Sequence, residues 1–219
     1  LLSNTTPPWA PAGHELGFVQ LALPNEAMPK SALRDTVAAG TRLVLANTRK
    51  EITVTAGETV YTFDRIHGLL VSVRDHGAEL LTAPLTPTVW RAPTDNDYGG
   101  GAGVINRVQA WRNPTLALKS IKMEQDKTSA RVTAKMDIVR MDASLTLTYT
   151  LYADGNLTIK EHLDVNEEAK HKSMPTRFGM QWVMPKEYDV VSYYGRGPIE
   201  NYADRKESQH LGIFTQSVA

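Results

Sequence analysis

Cysteine is absent from the 219 residues of this chain. Its absence excludes disulfides, thiolate metal ligands and a cysteine nucleophile together. It leaves the compartment open, because cysteine-free proteins are at home in cytosol and periplasm alike. Net charge is missing too, with 24 Lys and Arg against 24 Asp and Glu. No long-range field recruits a polyanion and no basic run is interleaved with aromatics, so neither nucleic acid nor a membrane surface is expected as a partner. No window approaches the roughly 20 apolar residues of a helical membrane span. Aromatic residues make up only 7%, yet 42% of the chain is hydrophobic, enough to fill a sizeable core.

What is present is alternation. In 144–152, Leu145, Leu147, Tyr149 and Leu151 share one strand face and the threonines the other. Asp154-Gly155 supplies a hairpin turn, and 156–165 returns with Leu157, Ile159 and Leu163 on one face. With 116–124 and 130–139 these segments predict an antiparallel meander with one solvated face. Upstream, 51–56, 60–63 and 69–74 predict short strands separated by turns at Gly57, 64–68 and His76-Gly77. Downstream, 177–183 and 190–194 predict strands broken at Pro185. Helical patterning is confined to 104–112 and 205–211. Residues 24–40 carry Pro24, Pro29 and weak patterning, whereas 15–23 alternates like the last strand of another module. The chain therefore divides into 1–23 as the end of one β-domain, 24–48 as a linker and 49–219 as most of a second. The class is all-β, best satisfied by a large two-sheet sandwich. The start at Leu1-Leu2-Ser3, without Met or signal peptide, and the mixed segment 211–219 suggest a piece of a longer polypeptide.

Two polar segments stand out. The first is Trp90-Arg91-Ala92-Pro93-Thr94-Asp95-Asn96-Asp97-Tyr98, followed by Gly99-Gly100-Gly101-Ala102-Gly103. Pro93 argues against a helix, and Asp and Asn against a strand, so a polar corner is expected there, tied to a flexible glycine tether. Asp95, Asn96 and Asp97 are expected to hold that corner through backbone amides and an arginine, Arg91 or Arg205. The second segment is Gly195-Arg196-Gly197-Pro198-Ile199-Glu200-Asn201-Tyr202-Ala203-Asp204-Arg205. Its Arg205 is placed to clamp Asp204 or Asp95 and so lock loops together. Other chemistries find little support. The Gly-x-Gly at 195–197 lacks a third glycine and a βαβ setting, and no Gly-x-Ser-x-Gly elbow is present. The six histidines show no metal-ligand spacing, so no metal site is expected. Asp95 and Asp97 lie too close in sequence to straddle a glycosidic bond, which needs carboxylates roughly 5–9.5 Å apart on opposite sides.

Together, 90–97 and 195–205 resemble the small-chain (C-terminal) domain of large bacterial β-galactosidases of glycoside hydrolase family 2. The order and spacing of the two segments fit, as do Tyr61-Thr62-Phe63-Asp64-Arg65-Ile66-His67-Gly68 and Ala12-Gly13-His14-Glu15. The resemblance implies a β-supersandwich of the galactose-mutarotase-like type for 49–219, preceded by the tail of an immunoglobulin-like β-sandwich. It places the catalytic glutamates on a TIM barrel outside this sequence, so none of this chain's residues is expected to be catalytic. Gly99, Gly100, Gly101 and Gly103 then form a loop gating the sugar. Arg91, Asp95, Asn96, Asp97, Arg196, Glu200, Asn201, Asp204 and Arg205 organise the loops around it. Magnesium and sodium, used by the parent family, are expected at sites outside this chain, and no cofactor within it. The implied partners are the TIM barrel, the remaining C-terminal segment, a galactoside substrate and further copies in a homo-oligomer of cytoplasm or periplasm. A stand-alone carbohydrate-binding or mutarotase-like domain is the alternative, although no converging acid and base is evident for an epimerase. A purely structural sandwich leaves the polar density of the two loops unexplained.

Overall fold

Alternation predicts strands, and strands account for nearly all the regular structure. The computed structural model describes residues 8–21, 43–98, 106, 108–166, 175–201 and 205–218. The chain separates into two compact units, Ser31–Pro185 on one hand and Leu1–Lys30 with Lys186–Ala219 on the other.

The larger unit is an all-β sandwich. One sheet is an antiparallel meander of β1 (Leu43–Asn47), β2 (Glu51–Ala56), β3 (Thr59–Asp64), β4 (Leu70–Asp75) and β5 (Ala78–Glu79). The other runs in the order β10 (Leu157–Val165), β9 (Ala143–Tyr152), β8 (Ser129–Val139), β7 (Thr115–Gln125). The period-2 rows are the core. Leu145, Leu147, Tyr149 and Leu151 of β9 are completely buried. Their cross-strand partners are Met136, Ala134, Val132 and Ala130 of β8. From the first sheet, Ile52, Val54 and Phe63 are buried in the same cluster, and the Phe63 ring meets Tyr149 edge-on with centroids 5.0 Å apart. Each such Leu or Ile contributes about 1.5–3 kcal/mol by leaving water.

Turn chemistry sets the registers. Gly155 adopts φ 84° in the Asp154-Gly155 turn, and Asp154 Oδ1 accepts the Asn156 N–H at 2.9 Å. Between β7 and β8, Asp126 accepts the amides of Thr128 (2.8 Å) and Ser129 (2.7 Å). The Thr128 amide, the Ser129 hydroxyl and the Ser129 amide lower its carboxyl to about 2. Strand β1 lies inside the stretch read from sequence as a linker. Thr48 closes its turn into β2 by accepting the Lys50 and Glu51 amides, and pairing from Leu43↔Ala56 to Asn47↔Ile52 supplies order that the weakly patterned segment before it does not announce. A short pair, β6 (Thr86–Thr88) with β11 (Gly179–Gln181), joins distant parts of the chain. It is all that forms of the strand predicted over 177–183.

Strand β10 carries an anomaly. Leu157, Ile159, Leu163 and Val165 form its half-buried row, and Glu161 sits in the middle of it. Its Oε2 is buried without a hydrogen-bond partner among the described residues, and desolvation raises its carboxyl. As β10 is a sheet edge, an inward-pointing charge there discourages edge-to-edge pairing at a cost in stability. A carboxyl raised on folding contributes stability that is complete below its unfolded value and lost as pH rises through its folded value. Glu161→Leu is therefore expected to stabilise by about 0.5–1.5 kcal/mol at neutral pH, after allowance for partial solvent screening. The gain should shrink towards pH 4. Urea denaturation of both proteins at the two pH values checks this, and an equal gain at both would remove ionisation as the cause.

In the smaller unit β12 (Val190–Gly197) pairs antiparallel with β13 (His210–Ser217). Only a 3₁₀ turn, Lys206–Ser208, forms where a helix over 205–211 is predicted. Pairing from Gly197↔His210 to Val190↔Ser217, with Tyr193 beside Phe214 (centroids 5.5 Å), outweighs the local helical pattern. The strand predicted over 15–23 is also absent from its described part, where an isolated bridge at Glu15 is all that forms. Gly17 interrupts the alternation. The Gln20 side chain takes the role of a strand backbone instead, donating to the Leu211 carbonyl (2.9 Å) and accepting the Leu211 amide (2.5 Å).

Candidate functional site

The corner at 91–97 is built around one carboxylate oxygen. Asp97 Oδ2 accepts from Arg91 Nη1 at 2.7 Å, from the Thr94 amide at 2.7 Å and from the Thr94 hydroxyl at 3.1 Å. Arg91 and Asp97 are mostly sheltered, with 18% and 19% of their side chains exposed. The hydrogen bond from Arg91, then that from the Thr94 amide, holds the Asp97 carboxyl below the usual carboxylate range. Arg91 also donates to the Ala92 carbonyl (3.0 Å), and its own amide donates to Thr176 Oγ1 (3.2 Å). The corner is thereby tied to the segment that leads into β11, 85 positions later.

One expectation fails here. Residues Asp95–Tyr98 form a single helical turn, α1, although Pro93 was read as forbidding a helix. Pro93 lies ahead of the turn, and Thr94 starts it, its carbonyl accepting the Asp97 amide at 3.0 Å. Asp97 reaching back to the Thr94 amide is one half of a capping box. Thr94-x-x-Asp97 is that box's sequence signature and the signal that could have revealed the turn. The two acidic residues consequently differ in role: Asp95 is exposed, whereas Asp97 is engaged. Asn96 is exposed beside it. Gly99, Gly100, Gly101 and Gly103 lie outside the described residues. Of the helical stretch predicted over 104–112, residues 106, 108 and 109 are helical, and Trp111 is completely buried.

The second polar segment closes on itself. Arg205 Nη1 donates to Glu200 Oε1 at 2.7 Å, and Arg196 Nη1 donates to the Lys206 carbonyl at 3.4 Å. Glu200 is thus the acidic partner of Arg205 among the described residues of its own unit; Asp204, one of the partners expected for it, lies outside the described residues. Both side chains of the Glu200–Arg205 pair are about half exposed, so it contributes little to stability. Asn201 is exposed. The glycine of the Gly-Pro step has a steric reason. A Cβ on Gly197 would lie 2.6 Å from Tyr193 Oη and 2.9 Å from the Phe214 ring.

Beside the first corner a cavity of about 670 Å³ opens, lined among others by Trp90, Arg91, Arg112, Arg177, Gln181 and Trp182. The β6–β11 pair makes it, because Thr88 opposite Gly179 brings 177–182 alongside 88–92. The Arg112 guanidinium lies over the Trp90 ring, 5.0 Å from its centroid. Sequence reasoning missed Arg112, Thr176 and Arg177, and no local pattern marks them. Chemically the corner is a rigid scaffold and the cavity a cationic, aromatic-walled recess. Among the described residues no group of three or more His, Asp or Glu side chains converges to hold a metal ion.

Comparison with known proteins agrees with both motifs. The family described as "Beta galactosidase small chain" matches residues 55–219. A β-galactosidase of Priestia megaterium is 33% identical over 214 residues, covering 96% of this chain and 20% of that protein. One of Lactobacillus delbrueckii subsp. bulgaricus is 34% identical over 159 residues, 71% of this chain and 15% of that protein. One of Halalkalibacterium halodurans is 27% identical over 213 residues, with 96% and 20% covered. The chain thus spans about a fifth of the length of these relatives.

Proposed function

Since this chain belongs to the β-galactosidase small-chain family, we propose that it is a non-catalytic segment of a longer β-galactosidase that shapes and gates a galactoside site. The observation that carries the non-catalytic reading is the state of Asp97. Its oxygen is committed to Arg91 and Thr94, and its carboxyl is held low. It is neither a proton donor at neutral pH nor a free nucleophile, and Asp95 sits on the same helical turn. Hydrolysis with retention needs an acid and a nucleophile on opposite sides of the bond, so both belong to other parts of the longer polypeptide. On this reading 1–23 is the tail of an immunoglobulin-like domain, the connection ends before β1 at Leu43, and the small-chain domain follows. Magnesium and sodium, which the family resemblance implies, are assigned on this reading to other parts of that polypeptide.

The gate is assigned to Gly99, Gly100, Gly101 and Gly103. Four glycines in five residues carry a high ordering entropy, and the capped turn at Asp95–Tyr98 gives that tether a fixed base. The test is a graft of this chain in place of the matching fifth of the Priestia megaterium enzyme. The chain alone is expected to leave nitrophenyl galactoside intact, whereas the graft turns it over. Gly99→Ala in the graft should move kcat and KM by several fold, by biasing the loop towards negative φ. Turnover by the pure chain alone would overturn the non-catalytic reading. Unchanged kcat and KM in an active Gly99→Ala graft would remove the gate.

A further inference from the structure

The recess beside Trp90 carries more positive charge than the described residues around it answer. Among its described lining residues three are arginines and none is acidic. Arg91 is neutralised by Asp97. Arg112 makes its one described contact with the face of Trp90, which steadies the planar guanidinium without consuming its donors. Arg177 is exposed and has no ion pair or hydrogen bond among the described residues. Two guanidinium forks thus border one cavity of about 670 Å³, a size that takes a monosaccharide-scale group. Gln181 adds an exposed amide, and Trp182, 45% exposed, adds an aromatic face.

We propose that this recess is a carboxylate-binding site, with Arg112 and Arg177 as its anion-recognising residues. A carboxylate is the planar anion that guanidinium groups grip in two parallel hydrogen bonds, and a charge-matched guest relieves the repulsion of two like charges facing one cavity. The carboxylate comes from one of two sources: an acidic saccharide, whose ring would lie against Trp182, or an Asp or Glu side chain from another part of the longer polypeptide. The assignment is independent of the gating reading, since it uses neither the glycine tether nor catalysis, and either can fail alone.

The 219-residue chain, labelled with ¹⁵N, is titrated at low ionic strength with galacturonate, galactose, acetate and blocked glutamate (N-acetyl, N-methylamide). The indole N–H signals of Trp90 and Trp182 are followed. Saturable shifts in the millimolar range are expected with galacturonate, blocked glutamate or both, and none with galactose. Arg112→Gln and Arg177→Gln should each weaken binding about five- to tenfold, and salt above about 0.3 M should weaken it further. Both side chains are exposed, so the variants keep the fold, which a melting curve verifies. Galacturonate binding tenfold tighter than acetate and blocked glutamate identifies the acidic saccharide. Equal binding of the three identifies the side-chain carboxylate. The proposal is overturned if no carboxylate binds, if galactose matches galacturonate, or if neither arginine variant changes affinity.

Discussion

Asp97→Ala is expected to cost about 2–3 kcal/mol of stability, read as a lower midpoint in urea. Three donors converge on Asp97 Oδ2, from Arg91 Nη1, the Thr94 amide and the Thr94 hydroxyl. Truncation removes the acceptor and leaves a sheltered guanidinium without its opposing carboxylate. Losing half of the capping box adds to the cost. Asp97→Asn separates the two contributions, because it keeps an acceptor and loses the charge, and its cost should be about half. The pH dependence carries the sign. A carboxyl held low in the folded state contributes stability that is present above its unfolded value, near 3.9. That contribution is lost as pH falls through the folded value. The gap between the wild type and Asp97→Asn should therefore be full at neutral pH and close progressively below about pH 4. A midpoint for Asp97→Ala equal to wild type would mean that the corner is merely solvated surface.

The strands most legible in the sequence are those whose alternation matches their burial. The β9 row is read directly from Leu145, Leu147, Tyr149 and Leu151, since a half-buried strand leaves period 2 in the sequence. Strand β1 was absorbed into a linker because Leu43, Val44, Leu45 and Ala46 do not alternate, and its order comes from β2. Glu161 was invisible for the opposite reason: its position fits the row and its chemistry does not. At the site, the polar corner was legible as a corner. Its helical turn is signalled only by the Thr94-x-x-Asp97 cap, directly after a proline that by itself argues against a helix. Arg112 and Arg177 lie far apart in sequence: a pairing of three residues per strand between β6 and β11 brings 177–182 alongside Trp90, and Arg112 lies over the Trp90 ring. A contact so dependent on tertiary pairing leaves no local pattern.

Gly68→Ala is expected to cost about 2–4 kcal/mol. Gly68 closes the β3–β4 turn, donating to the Asp64 carbonyl at 2.9 Å. Asp64 in turn accepts the Ile66 amide at 2.7 Å and contacts His67 Nδ1. The glycine has φ +74°, and a Cβ built there would lie 2.5 Å from Leu118 Cδ1, 3.1 Å from Ala134 Cβ and 3.1 Å from Met136 Cε. The turn of one sheet is therefore seated directly on the inner face of the other, and two penalties coincide. A left-handed backbone costs an alanine about 1–2 kcal/mol, and overpacking adds about 1–3 kcal/mol. Leu118 can yield by rotating, but Ala134 has no freedom to move. Two further variants distinguish the penalties. Gly68→Asn tolerates positive φ better yet still introduces a Cβ, so if crowding dominates it should be no better than alanine. Leu118→Ala combined with Gly68→Ala should then recover part of the loss, giving a coupling of about 1 kcal/mol in a double-mutant cycle. Additive costs together with a well-tolerated asparagine would locate the whole effect in the backbone, and the two sheets would be less tightly seated at this turn than the distances require.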